Sequence, residues 1–366
     1  MSDNSIVAFY QSRKTGVDKI IDQTFFQLLT GTEAIDSIIP SRNYLSRKLL
    51  LVKFKRHKPT IASVVGENQE IPATRPRATL SEDLFGNLKV GKKLVFEHEH
   101  FEMMHEMQMY LNSSGAMASQ MVTEIERYFF GLAADLVPAL DGTALMLALK
   151  VATTGTCTYT DPLTGAKVEL TYPGTESTLL PSALTSGNRW TQPSTADGLT
   201  NLETHAKAYY DIHGVFPPKL ILHFSDFRDL ASQNSTKIAK LRRSGADSTA
   251  PDVTGVYIED AELIDMIRAR VRCDEVIFFD AMYSEEQKNS SDPLDKYFLP
   301  EHYYFFGEDD LIERAYVPTV EKDFQPGVYL DSERVSKSPR KEQTVACANV
   351  LPFIGDPRKI AARKVA

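Results

Sequence analysis

Apolar residues recur every three or four positions from Ser114 to Gly155, which predicts helix. Ser114 can cap the start of this stretch, whereas Pro138 predicts a break or kink. Asp141 can then cap a second segment, Thr143–Ala152, which is apolar almost all round and must be buried on all sides. At about ten residues this segment is too short to cross a bilayer, which needs roughly twenty. The pattern therefore predicts two consecutive helices that the rest of the chain covers.

The residues before these helices show a different pattern. Residues 1–30 are polar and irregular, as in an arm that neighbours order. Leu51–Lys55 and Leu94–Glu99 have the composition of strands, and residues 56–92 between them are rich in charge, Pro and Gly. A connection of this length is too long for an idle loop in a compact domain. The segment is either disordered or an extended hairpin that packs on another molecule, and the predicted strands on both sides favour the hairpin.

A second hairpin follows the helices. Thr156–Tyr159 and Val168–Tyr172 are predicted strands, and the turn residues Asp161-Pro162 and Gly165 lie between them. The next segment, Thr175–Thr195, is rich in Ser, Thr, Pro and Gly and carries the only tryptophan. It predicts a link between two substructures.

From Asp197 onward, helical and strand patterns alternate, which predicts a small mixed α/β domain. Asp197 and Asp260 are predicted helix caps, and Gly214 is a predicted helix stop. The predicted strands are Lys219–Phe224, Val256–Glu259, Glu275–Tyr283 and Leu299–Gly307. The last sixty or so residues show few helix signals and are expected to return as strands that pair with an earlier hairpin.

Composition narrows the class of protein. The chain has 366 residues, which fits two to three substructures, and a net charge of −8. A nucleic-acid binder that neutralises phosphates needs a basic face, so the charge argues against that class. The three cysteines lack metal-binding spacing and are predicted to be free, buried thiols. No run resembles a signal peptide or a membrane span, so we expect a cytoplasmic protein without a membrane partner.

One histidine-rich stretch, Glu97–Met107, is the strongest candidate for chemistry. His98 and His100 share a face of the predicted strand, but His105 lies beyond it. The metalloprotease helix pattern is absent, because Met109 stands where its second histidine should be. We predict a solvated strand face here and assign no catalytic residue, no cofactor site and no metal site. A metal-dependent hydrolase that uses these three histidines is the enzymatic alternative.

The order of the parts resembles the major capsid proteins of tailed phages, which have the Hong Kong 97 fold, and most of all the lambda-like major capsid protein E family. The similar stretches are TEAIDSIIPSRNYLSRKLLLVKF, ERYFFGLAADLVPALDGTALMLALKVATTGTCTY, PKLILHFSDFRDLASQN, GVYIEDAEL and VACANVLPFIGDPRKIAARKV. Each is a pattern of apolar and turn residues, and it is their order along nearly the whole chain that carries the resemblance.

The resemblance implies an α+β fold of four parts. Residues 1–47 are the N-terminal arm, and residues 48–100 are the E-loop, an extended hairpin that reaches over a neighbouring subunit. Residues 101–196 and 311–366 form the peripheral domain with its spine helix. Residues 197–310 form the axial α/β domain.

The implied function is that of a major capsid protein, which assembles with itself into hexamers and pentamers of an icosahedral shell. The shell encloses double-stranded DNA without reading its sequence, and it is a part of the virion assembled in the host cytoplasm. A scaffolding protein, a portal and a decoration protein are the implied further partners. A nanocompartment shell of the same fold, which encloses an enzyme cargo, is the alternative within this structural class.

Charged residues of the predicted hairpin are the candidate contacts between subunits. Arg75 and Arg77 are followed by Glu82 and Asp83, which suits charge pairing between neighbouring copies, although local solvated pairs would use the same residues. Two lysines nearer the end of the hairpin complete the predicted interface set: Lys89 and Lys92.

Overall fold

The computed structural model describes residues 33–45, 51–54, 78–81, 88–111, 136–172, 174–245, 252–287, 292–337 and 340–366. Its helices are α1 (Glu33–Asp36), α2 (His98–Leu111), α3 (Leu136–Thr154), α4 (Gly198–His213), α5 (Phe224–Ser232), α6 (Asn234–Arg243) and α7 (Asp260–Val271). Its strands are β1 (Ser41–Asn43), β2 (Leu51–Phe54), β3 (Ala78–Ser81), β4 (Leu88–Phe96), β5 (Thr156–Thr160), β6 (Lys167–Thr171), β7 (Lys219–Leu222), β8 (Glu275–Phe278), β9 (Met282–Glu285), β10 (Leu294–Tyr297), β11 (Tyr303–Gly307), β12 (Ile312–Val317), β13 (Tyr329–Lys337), β14 (Arg340–Ile354) and β15 (Ala361–Lys364). The predicted α+β class is confirmed.

The longest strand, β14, organises a five-stranded sheet. Along one edge it pairs with β13 and then with β12, and along the other edge it pairs with β4; all three pairings are antiparallel. The short strand β1 adds to β12 in parallel and so brings residues 41–43 to the end of this sheet. Strands from the early and the late parts of the chain therefore meet in one sheet.

A four-stranded sheet has the order β15-β11-β7-β8. Its parallel pair, β7 and β8, is joined through helices α5 to α7, as a parallel connection requires. The last strand, β15, pairs with β11, so the end of the chain completes a sheet that otherwise comes from residues 219–307. The predicted caps Asp197 and Gly214 bound α4, whereas the predicted strand Val256–Glu259 is wrong because those residues form no ladder.

Three further pairs of strands form hairpin-like ribbons. The β5–β6 hairpin has the predicted antiparallel pairing, and β9 pairs with β10. The strand β2 pairs with β3. It does not pair with the predicted strand Leu94–Glu99, whose first half belongs to β4 and pairs with β14. Residues 55–77, which join β2 to β3, lie outside the described residues.

The helix α3 is continuous over 19 residues and mostly buried, and it packs between the sheets. The predicted break within it is wrong. The described helix runs through Pro138 and Asp141 without interruption from Leu136 to Thr154. Asp141 lies inside the helix and caps nothing. The predicted stop is confirmed, because Gly155 has a φ of 70° and donates its N–H to the Val151 carbonyl at 2.8 Å.

By length and composition α3 could cross a membrane, but 72% of its most apolar window is buried in the fold. This burial is that of a core helix, because the sheets cover it instead of lipid.

The link that carries Trp190 is fastened between the four-stranded sheet and α4. The Trp190 side chain is fully buried and stacks on Tyr304 with ring centroids 5.5 Å apart. Its backbone N–H donates to the Val365 carbonyl at 3.0 Å, and Leu184 donates to the Lys364 carbonyl. The predicted link therefore has a fixed path along the C-terminal strand.

Candidate functional site

One buried cation holds residues 33–43, the root of the N-terminal segment. The Arg314 side chain on β12 is 3% exposed and contacts two carboxylates, Asp36 of α1 and Asp141 of α3, the latter at 2.6 Å. Asp141 also accepts hydrogen bonds from Ser41 Oγ at 3.0 Å and Tyr316 Oη at 2.7 Å. This network joins residues 33–43 to the central helix and to the five-stranded sheet. Burial, followed by the Asp141 charge, raises the pKa of Tyr316 well above its ordinary value, so the phenol stays a donor.

A second, more exposed set of contacts continues outward along β1. Arg42 pairs with Asp310 at 2.8 Å and with Glu313 at 2.6 Å. The Tyr44 hydroxyl also donates to Glu313. Burial raises the pKa of Glu313, and the nearby Arg42 opposes that shift. The described part of the N-terminal segment thus ends at the surface with its charges paired inside the subunit.

The two predicted interface lysines that the structure describes lie on β4. Lys89 pairs with Glu321, and Lys92 pairs with Glu286 at 3.3 Å. The hydrogen bond from Lys89 lowers the pKa of Glu321 to about 2. The lysine side chains are 59% and 50% exposed, so both reach solvent while they hold partners within the subunit. The other four predicted contacts, Arg75, Arg77, Glu82 and Asp83, lie outside the described residues, as does the predicted helix before Leu136.

A cleft of about 520 Å³ lies beside β4, between α3 and the β5–β6 and β9–β10 hairpins. Its polar groups are already engaged: Tyr159 donates to Glu285 at 2.8 Å, and Lys296 pairs with the same carboxylate. Lys150 lies over the Tyr159 ring at 4.5 Å, and burial lowers the pKa of this lysine. At the rim, Met282 is half exposed. The cleft is therefore lined mainly by apolar side chains, and the polar groups named above already have partners within the subunit.

The histidine-rich stretch folds differently from its prediction. The strand β4 ends at Phe96, and α2 begins at His98, so the predicted strand face of His98 and His100 does not exist. His100 Nδ1 accepts the Glu97 N–H at 3.3 Å. A side chain in the first helical turn thus accepts the backbone N–H of the residue that caps the helix, as in a capping box. Its ring also contacts Phe96 edge-on. His100 thus has a structural role at the start of a helix, and His105 lies exposed further along it.

No group of three or more His, Cys, Asp or Glu in the described part of the chain could hold a metal ion. The three cysteines are buried and free, as predicted. Burial raises the pKa of Cys157, Cys273 and Cys347, which keeps these thiols protonated and unreactive.

The sequence matches no protein-family model and no curated protein. Solved structures do match over its full length. A protein assigned as the capsid protein of a prophage from E. coli CFT073 is 13% identical, with 96% of this chain and 98% of that chain covered and a TM-score of 0.56.

Two other matches have lower TM-scores. A phage-related protein from Bordetella bronchiseptica RB50 is 10% identical, with 95% and 97% covered and a TM-score of 0.49. The capsid of Myoviridae phage XM1 is 9% identical, with 92% of each chain covered and a TM-score of 0.41. Of these three structures, the prophage protein reaches the similarity that shows a shared fold across the chain. This chain therefore has the α+β fold of that prophage capsid protein.

Proposed function

We propose that this chain is the major capsid protein of a tailed phage and that it assembles into hexamers and pentamers of an icosahedral shell around double-stranded DNA. The observation that carries the proposal is the full-length likeness to the prophage capsid protein, which covers 96% of this chain and 98% of the other. A shared fold is compatible with several functions, so the proposal also draws on features of this chain.

The first of these features is the hairpin root at β2 and β3. In the proposal, residues 55–77 form the tip of an E-loop that lies over a neighbouring subunit. A hairpin of that length extends at most roughly 35 Å from its root. The sequence of this tip is poor in core-forming residues, so it would gain burial only upon assembly.

The second feature is the way charges are distributed around the hairpin. Arg75 and Arg77 are proposed to pair with Glu82 and Asp83 of a neighbouring copy, and Lys89 and Lys92 to join that network. A single exposed ion pair contributes about 0–1 kcal/mol, so no one pair would hold the shell together. Closed symmetry repeats every contact, and many weak contacts then add up.

The parts of the fold are proposed to take the roles that the resemblance implies. Residues 1–47 are the arm, and the buried Arg314 network fastens its root. Residues 48–100 are the E-loop, residues 101–196 with 311–366 are the peripheral domain, and α3 belongs to its spine helix. Residues 197–310 are the axial domain, whose sheet is completed by β15.

The proposed role is structural and not enzymatic, and it places the chain in the virion after assembly in the host cytoplasm. A net charge of −8 suits a container that encloses DNA without gripping it. Separate scaffolding, portal and decoration proteins are its proposed partners, and no membrane takes part.

The proposal is tested by sedimentation of the purified chain, expressed with and without the products of neighbouring genes. We expect closed particles that contain nucleic acid. Particles that hold protein cargo and no nucleic acid would favour a nanocompartment shell instead. A chain that remains a monomer or small oligomer under all these conditions would contradict the proposal.

The predicted charge pairs have a test of their own. The double variant Arg75→Glu/Arg77→Glu should fold with an unchanged Tm but assemble at least tenfold less, and Glu82→Arg/Asp83→Arg should restore assembly. Lys167→Glu is the matched control, because Lys167 is also an exposed cation but pairs with Glu169 within the β5–β6 hairpin. Equal loss of assembly in the control would show that charge reversal acts without specificity.

A further inference from the structure

The β9–β10 hairpin leaves the four-stranded sheet after β8 and returns to it before β11. Its two legs come together at the base, where Phe298 donates its N–H to the Ala281 carbonyl at 3.0 Å. Beyond this base the hairpin contacts distant parts of the chain, through Glu285 with Tyr159 and through Glu286 with Lys92. Whatever holds the base therefore also sets how the hairpin lies against β4 and β5.

A buried histidine at the end of β7 bridges the two legs. His223 is 2% exposed. Its Nδ1 lies 3.0 Å from Asp280 Oδ1 on the outgoing leg, and its Nε2 lies 2.9 Å from the Leu299 carbonyl oxygen on the returning leg. Asp280 Oδ1 also accepts the Phe224 N–H at 3.1 Å, at the start of α5. The carboxylate is thus held as an acceptor by a second donor.

The hydrogen bonds of His223 require two protons on its ring. A backbone carbonyl and a carboxylate are both acceptors, and neutral imidazole has one N–H to give. Only the doubly protonated ring donates to Asp280 and to Leu299 at once. A neutral ring would leave a nitrogen lone pair facing an oxygen at a largely buried position, which costs more than the loss of an ordinary hydrogen bond.

A buried acid, Asp226, lies close to His223. Asp226, in the first turn of α5, is 1% exposed, and its Oδ1 lies 3.0 Å from His302 Nδ1. Its Oδ2 has no hydrogen-bond partner. Burial raises the pKa of Asp226 and also that of the neighbouring Asp229. The other polar and titratable groups around His223 are Asp280, the Tyr297 ring at 4.9 Å, and Glu301 and His302, which share with it a cavity of about 240 Å³.

We propose that His223 is a proton-controlled clamp, which joins both legs of the β9–β10 hairpin when its ring is doubly protonated and releases one leg when it is not. The clamp is a property of the single subunit. It stands whether or not the proposed shell function is correct.

The direction of the pH dependence follows from the geometry. Both hydrogen bonds of His223 form only when its ring carries two protons, so ring protonation and the closed clamp favour each other. The clamp's stabilisation is therefore present at low pH and is lost as the pH rises. Asp226 changes the stability in the same direction as the pH rises, because its raised pKa means that the folded state favours the protonated acid. Each proton involved changes the unfolding equilibrium constant by up to tenfold per pH unit.

Two measurements on the full chain test the clamp. Ring-nitrogen NMR of protein labelled with [15N]histidine should show both nitrogens of His223 protonated at pH 7, with its signals assigned by their absence in His223→Gln. Urea unfolding from pH 6 to 9 should show wild type losing stability relative to His223→Gln, up to tenfold per pH unit. His105→Gln, which changes an exposed histidine of α2, is the matched control and should follow wild type.

The partly exposed Asp280 provides a second variant if His223→Gln does not fold, since Asp280→Asn removes only the charge of the carboxylate. His223 in Asp280→Asn should lose its second proton at a lower pH than in wild type. A singly protonated His223 ring in wild type at pH 7, or a ring protonation that is the same in wild type and Asp280→Asn, would overturn the proposal.

Discussion

Replacing Arg314 by methionine should destabilise the fold strongly. The Arg314 side chain is 3% exposed, and its partners Asp36 and Asp141 are 14% and 19% exposed. Without the guanidinium, two carboxylates face each other in a site that is largely closed to water. Loss of one partner from a buried ion pair costs about 3–5 kcal/mol. Asp141 keeps its bonds from Ser41 and Tyr316, which places the expected loss near the lower end, about 3 kcal/mol.

Urea unfolding followed by circular dichroism measures this loss as a change in the free energy of unfolding. Arg42→Met is the matched control, because Arg42 also pairs with two carboxylates but is 47% exposed, and its loss should be under about 1 kcal/mol. Asp141→Asn should recover about 1–3 kcal/mol in the Arg314→Met background, since it removes one unpaired charge. Equal losses for Arg314→Met and Arg42→Met would refute the claim that a buried cation fastens the N-terminal root.

Two further predictions concern the core. Burial lowers the pKa of His205 to about 4, below its ordinary 6.5, so stability should fall by about 3 kcal/mol between pH 6.5 and 4; His205→Gln should flatten that part of the urea-unfolding profile, and an unchanged slope would contradict the buried neutral ring. Gly307→Ala places a methyl group 2.5 Å from Ile221 and 3.0 Å from Ile38, so it should lose about 1–3 kcal/mol in thermal unfolding. Gly187→Ala, whose methyl group meets nothing within 4 Å, should be near neutral, and equal effects would show that packing is not the cause.

The local signals in the sequence predicted much of the fold. The β5–β6 hairpin and the caps of α4 follow from turn and capping residues that act within a few positions of themselves. The continuity of α3 through Pro138 could not be predicted from the sequence. A proline within a helix and a proline at a helix break give the same local sequence pattern. The error at α2 has a similar origin: the alternation of Leu94–Phe96 continues into Glu97–His100, although the hydrogen bonds change there from ladder to helix.

The candidate site was harder to predict, since its contacts join residues far apart in sequence. Asp36, Asp141 and Arg314 are unremarkable alone, and no spacing rule links them. The one available signal was Asp141 itself, which lies in the mostly apolar Leu140–Ala152 stretch. A buried Asp needs a partner. The clamp at His223 likewise depends on a carbonyl and a carboxylate from two other segments. Contacts between copies of the chain lie beyond any single-chain pattern.

Electron cryomicroscopy of the expressed chain is the decisive test of the proposed shell. We expect closed icosahedral shells with pentamers at the vertices, in which the hairpin that begins at β2 and β3 lies over the adjacent subunit. Particles in which this hairpin does not contact the adjacent subunit, or a chain that forms no shell with or without its scaffolding protein, would contradict the proposal.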